Sequence, residues 1–140
     1  MQPDLYGRIE ALRGEYDSML TRPDQVFLAR VEAERTLTPK DDVVLARMEA
    51  QAALRSERGA DVYLIAGKPY DSDGMADLVL EQARRFAGKT TRGRADRAAL
   101  RSFRTITTLL SRGRRLSAEQ TVALELIVGH YAKEAELVTV

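Results

Sequence analysis

Apolar residues return at three- and four-residue intervals along most of this chain, and helix-starting and helix-stopping residues stand between the runs, which predicts a fold built from helices. Leu5, Ile9, Leu12, Tyr16, Met19 and Leu20 make one face over a first helix from about Pro3 to Leu20. Arg22-Pro23 breaks that pattern, and a shorter helix is expected from Asp24 to Arg35 with Val26, Phe27, Leu28 and Val31 as its core. Thr38 offers an N-cap, Pro39 fits the first helical position, and Asp41 and Asp42 favour the positive end of the helix dipole. That helix should run to Arg58 and stop at Gly59. Asp73 is expected to cap a helix from Gly74 to Ala87, and a further helix is predicted from Ala95 to Arg112, ended by Gly113. Ser117 and Gln120 have capping-box spacing ahead of a last helix that runs to about Glu136. Asp61 to Ala66 is ambiguous. Val62, Tyr63 and Ile65 favour a strand, but no partner strand is evident, so helix or irregular backbone is expected there, followed by a loop in GKPYDSDG. The expected architecture is all-α: a single compact, bundle-like domain of five or six helices over residues 1–140.

The 140 residues suffice for one hydrophobic core, and a hydrophobic content of 44% is that of a globular chain. With no cysteine, disulfide and thiolate chemistry are excluded. MQPDLYGRIE has neither the basic start nor the apolar run of a signal peptide, and no apolar stretch approaches the roughly 20 residues of a membrane span, so a cytoplasmic protein is expected.

The net charge of +1 conceals a division. From Arg84 to Arg115 eleven Arg and Lys face a single acid, Asp96, whereas the rest of the chain carries eleven basic and twenty acidic groups. Arginine outnumbers lysine 18 to 4. A GC-rich genome accounts for that bias as well as phosphate recognition does, since guanidinium forks suit phosphate oxygens.

On a helix at about 100° per residue, with Arg97 at zero, Arg101 falls at about 40°, Arg104 at about −20°, Thr108 at about 20°, and Arg94 and Arg112 at about 60°. Ala95, Ala99, Phe103, Ile106 and Leu110 gather on the opposite side. This places a row of guanidiniums some 25 Å long outside an apolar face committed to the core. Charged helix faces are ordinarily solvated, but they mix signs, because like charges at i,i+4 repel by a few tenths of a kcal/mol. An uncompensated row points to an anionic partner: RNA or single-stranded DNA, contacted along its backbone with little sequence preference, or else an acidic protein surface. The candidate nucleic-acid-binding residues are Lys89, Arg92, Arg94, Arg97, Arg101, Arg104, Arg112, Arg114 and Arg115. Membrane binding is not expected, because the apolar side of this helix carries few bulky groups.

No catalytic residue, metal site or cofactor is expected. GKTT, from Gly88 to Thr91, has the end of a phosphate-binding loop, but Ala83 stands where the earlier glycine belongs and a helix precedes it instead of a strand. DSDG, from Asp71 to Gly74, lacks the glycine position and the final glutamate of a calcium loop and reads as a capped turn. Asp71, Asp73 and Asp77 have magnesium-compatible chemistry without a pattern that singles them out. The lone His130 lies beside Ala123, Leu126 and Ile127 on the last helix and reads as structural.

The stretch RSFRTITTLLSRGRRLSAEQTVALELIVGHYAKE, from Arg101 to Glu134, resembles a helix-loop-helix ending found in phage and mobile-element proteins. In size, helical content and basic strip the whole chain resembles the small helical subunits of multisubunit CRISPR effector complexes. That resemblance implies a non-catalytic subunit that supports a nucleic-acid strand within a ribonucleoprotein and contacts other protein subunits, with self-copies stacked in a filament as one such arrangement. The alternative is a helical protein–protein adaptor or phage assembly factor whose strip docks on an acidic surface.

Overall fold

The computed structural model describes residues 3–59, 62–87 and 93–138, with side chains over 5–59, 62–84 and 97–129. Among these residues the chain is helical with one small hairpin: α1 (Pro3–Glu15), α2 (Arg22–Glu34), α3 (Pro39–Arg58), β1 (Tyr63–Ile65), β2 (Lys68–Tyr70), α4 (Ser72–Ala87), α5 (Gly93–Ser111) and α6 (Ala118–Val138). Six helices dominate, as the apolar spacing predicts. No helix among the described residues is long and apolar enough to cross a membrane.

α1 is shorter than its apolar repeat. It stops at Glu15, and the chain continues in a 3-10 turn, Asp17–Met19, whose C-cap Leu20 is extended. Tyr16, Met19 and Leu20 still pack on the core, because a tight turn also returns side chains to one side after three residues. α2 begins two residues earlier than expected. Thr21 is its N-cap, Asp24 closes a capping box, and Pro23 sits in the first turn, where a missing N–H costs nothing. Phe27, Leu28 and Val31 are buried, whereas Val26 is 62% exposed, since it lies about 100° round the helix from Phe27. α3 starts at the Thr38 cap and ends at Gly59, as expected. These helices, with Ala118, enclose the first core around Leu5, Ile9, Leu12, Leu28, Val44 and Leu45.

Residues 63–65 form a strand, not helix or irregular backbone, and the partner lies inside the presumed loop. β1 pairs antiparallel with β2, Tyr63 opposite Tyr70 and Ile65 opposite Lys68. Ala66 (φ 51°) and Gly67 (φ 76°) supply the two left-handed positions that a two-residue hairpin turn requires. α3 holds the other side of β1: Gln51 Nε2 donates to the Val62 carbonyl at 2.7 Å, the Leu64 N–H donates to Gln51 Oε1 at 2.7 Å, and Arg47 Nη1 donates to the Leu64 carbonyl at 2.9 Å. Tyr63, Ile65, Met75, Leu78, Ile106, Leu116 and Leu124 make a second core.

α4 is capped by Asp71, not by Asp73. The Gly74 N–H donates to Asp71 Oδ1 at 2.7 Å, and the helix opens at Ser72. DSDG is therefore a capped turn, and no cluster of three metal-ligating side chains occurs among the described residues. The Ser117–Gln120 capping box forms at the start of α6: the Ser117 N–H donates to Gln120 Oε1 at 2.8 Å, and the Gln120 N–H to Ser117 Oγ at 3.2 Å. His130 belongs to the backbone of α6, and its side chain lies outside the described residues, as do residues 88–91.

Candidate nucleic-acid interface

α5 carries the strip because its two faces differ so sharply. Phe103 and Ile106 are buried, and Ala99 and Leu110 are half-buried against α4 and α6. Arg97, Arg101 and Arg104 are exposed on the other face and line a shallow open depression with Ala98 and Leu100. The hydroxyls nearby are turned inward. Thr105 Oγ1 donates to the Arg101 carbonyl, Thr107 Oγ1 and Thr108 Oγ1 to the Arg104 carbonyl, and Ser111 Oγ to the Thr108 carbonyl. Such back-bonding occupies the hydroxyl donors on the helix itself and leaves the guanidiniums as the outward-facing donors of this face.

The helix ends one residue before the predicted boundary, so Arg112 lies in the turn after Ser111. Gly113 adopts φ 67°, its N–H donates to the Leu110 carbonyl at 3.1 Å, and the Arg114 N–H donates to the Leu109 carbonyl at 2.9 Å. This paired closure of the last turn requires a left-handed residue, which glycine supplies without a Cβ penalty. The chain is thereby turned so that Arg112, Arg114 and Arg115 are all exposed around the helix end. Arg115 is tethered: its Nη1 donates to the Ser18 carbonyl at 3.0 Å. Of the remaining sequence-predicted residues, Arg94 lies on the α5 backbone with its side chain outside the described residues, and Lys89 and Arg92 fall outside them altogether.

Four arginines elsewhere in the molecule are paired with carboxylates. Arg8 pairs with Glu49 and Asp42, Arg13 with Glu32, Arg30 with Asp41 and Glu34, and Arg47 with Glu125. Among the described residues, Arg97, Arg101, Arg104, Arg112 and Arg114 have no such carboxylate partner. Among the described residues the strip is a row of cations without carboxylate partners, whereas Arg8, Arg13, Arg30 and Arg47 each have one.

Beneath the loop after α5 lies a polar hub that apolar spacing alone does not reveal. Arg55 is 2% exposed. Its Nη1 donates to the Met19 carbonyl at 3.1 Å, its Nη2 to the Leu116 carbonyl at 3.4 Å, and its guanidinium lies 4.9 Å from the Tyr63 ring centre. Burial lowers its pKa from the usual arginine value, opposed chiefly by Tyr63 and Asp24. The Leu116 N–H donates to Tyr63 Oη at 3.1 Å, and the Ala118 N–H to Asp24 Oδ1 at 2.8 Å. The start of α6 and the basic loop before it are thus fixed by α2, α3 and β1. The signal was available: Gln51 and Arg55 fall on the stripe of Val44, Met48 and Ala52, where a polar residue must be buried with partners.

No family model matches the chain, and no curated protein or solved structure matches it either.

Proposed function

We propose that this chain is a non-catalytic nucleic-acid-binding subunit of a larger ribonucleoprotein assembly, contacting the phosphate backbone of RNA or single-stranded DNA through Arg97, Arg101 and Arg104. The observation that carries the reading is the row itself: three exposed guanidiniums on one helix face, without carboxylate partners among the described residues. Keeping like charges together on one helix is unfavourable in isolation, and phosphates reverse the sign of that cost. Arg112, and Arg94 on the same backbone face, extend the row in both directions, and Arg114 and Arg115 continue the positive surface round the helix end. Size, helical build and basic strip, the features shared with the small subunits of CRISPR effectors, support the same reading. Guanidinium-to-phosphate contact carries no base information, so little sequence preference is expected.

The test is a salt titration of binding to generic RNA and single-stranded DNA, made on the assembled complex purified from its own cells. Replacing Arg97, Arg101 and Arg104 with Gln is expected to weaken binding to all sequences alike and to flatten the log affinity against log salt slope by roughly 2 to 3. A variant that folds and assembles but keeps its affinity and slope would show that the strip serves an acidic protein surface instead.

A further inference from the structure

Beside the strip, α4 and the end of α5 leave an apolar groove open to solvent. Met75, Val79 and Leu110 line it, Leu80 stands at its edge 52% exposed, and Arg114 and Arg115 close the opposite side. The two edges differ in charge. With Asp73 at zero on α4, Asp77 falls at about 40° and Leu80 at about −20°, while the core residues Leu78, Gln82 and Met75 cluster between about 140° and 200°. Asp73 and Asp77 are therefore the exposed acids that follow Leu80 outward from the groove. Arg84 lies on the same face at about 20°, two turns beyond Asp77. Up to Leu80, before Arg84 is reached, the surface reads, in order, acidic edge, exposed leucine, apolar floor, basic edge.

We infer that the occupant of this groove is a second copy of the same chain, joined in a two-fold dimer. A surface with an acidic and a basic edge either side of an apolar strip is complementary to itself. A two-fold axis near Leu80 lays the Asp73–Asp77 edge of each copy on the Arg114–Arg115 edge of the other, and each Leu80 enters the partner's groove. Every contact occurs twice, as closed two-fold interfaces require. An acidic protein of another kind would satisfy the arginines but would leave Asp73 and Asp77 facing like charge. The dimer assigns Arg114 and Arg115 to protein contact and leaves Arg97, Arg101, Arg104 and Arg112 facing outward, so it stands whether or not the strip holds nucleic acid.

Sedimentation velocity of the full chain at low and high salt reads the oligomeric state directly. The native chain should sediment as a concentration-dependent dimer that weakens with salt. Leu80→Asp, at an exposed position, should raise the dissociation constant by about tenfold or more. Asp73→Arg with Asp77→Arg should yield monomers, and so should Arg114→Glu alone or with Arg115→Glu. Mixing the arginine-substituted and glutamate-substituted chains should restore a dimer containing one of each, because both edges are then complementary again. Arg114→Glu alone leaves the Arg115–Ser18 contact in place and keeps the test available if the double variant does not fold. A native chain that stays monomeric at low salt overturns the inference. So do oligomers that grow beyond two, or folded charge variants that fail to pair on mixing. A Leu80→Asp chain that dimerises normally but loses RNA affinity overturns it too, and gives the groove to nucleic acid.

Discussion

Asp24 of α2 accepts the backbone N–H of Ala118, 94 positions away in the chain, at 2.8 Å, while its second oxygen accepts the Thr21 N–H at 2.9 Å. One buried carboxylate therefore closes the N-terminus of α2 and stands at the positive end of α6. Asp24→Ala removes a cap and strands a buried donor. The two losses together should cost about 2–4 kcal/mol, measured by urea unfolding. A cost within a few tenths of a kcal/mol would mean that water replaces the carboxylate at both helix ends.

The Asp41 carboxyl is held below the usual carboxylate range, first by the hydrogen bond from Arg30 and further by donors at Thr38, against a burial effect of opposite sign. A depressed folded-state pKa adds stability above the unfolded value of about 3.9, and that stability disappears as pH falls through the folded value. Asp41→Asn should therefore be less stable than the native chain near neutral pH. The gap should be about 0.5–1 kcal/mol, because Arg30 is well exposed and screened. Unfolding midpoints of the two proteins should converge once the pH is well below 4. A gap that persists unchanged in acid would assign the loss to packing and not to charge.

The strip works against the stability of its own helix. Arg97 and Arg101 are four residues apart, and Arg101 and Arg104 three. The triple Gln variant is accordingly expected to melt at the same temperature as the native chain or slightly above it at low salt, with the difference closing as salt is added. A lower melting temperature would mean that the guanidiniums are engaged in the folded chain and are not held outward at a cost.

Phe103, on the reverse of the strip, is buried with Ile127 against Val79, Ala83 and Ala99. Phe103→Ala should cost about 3–5 kcal/mol in chemical unfolding. Nucleic-acid binding by whatever fraction stays folded should keep its salt slope. Loss of the slope without loss of stability would reverse the assignment of the two faces of α5.

Much of this was legible before the structure, and the exceptions share a cause. The faces of α5, the caps at Thr38 and Ser117, and the stops at Gly59 and Gly113 depend on local backbone chemistry, and local sequence carries them. Where a partner comes from elsewhere in the chain, local reading fails. Tyr63–Ile65 needed Lys68–Tyr70 to be a strand, and Lys68-Pro69-Tyr70 has little strand character of its own. Asp24 serves Ala118, Arg55 serves Leu116, and Arg115 is tethered to Ser18, each across a separation that no spacing rule spans. Asp71 caps α4 in place of the expected Asp73, and it is the turn after β2 that decides this. The strip was visible as a row of one charge. That Arg8, Arg13, Arg30 and Arg47 already have carboxylates of their own became visible only with the helices packed.

The hairpin carries its own protection against growth. A two-stranded sheet exposes two rows of backbone groups to which a stray strand could add. On the β1 side that row is filled, since Gln51 and Arg47 meet the backbone of Val62 and Leu64 much as a third strand would. Because Leu64 turns its N–H toward α3, its partner Pro69 turns outward in the opposite direction. Proline has no N–H to offer there, so the remaining edge lacks its central donor. Sheet extension is thus blocked by an amide and a guanidinium on one flank and by a missing hydrogen on the other. The chain can in this way keep a β-hairpin without seeding fibres.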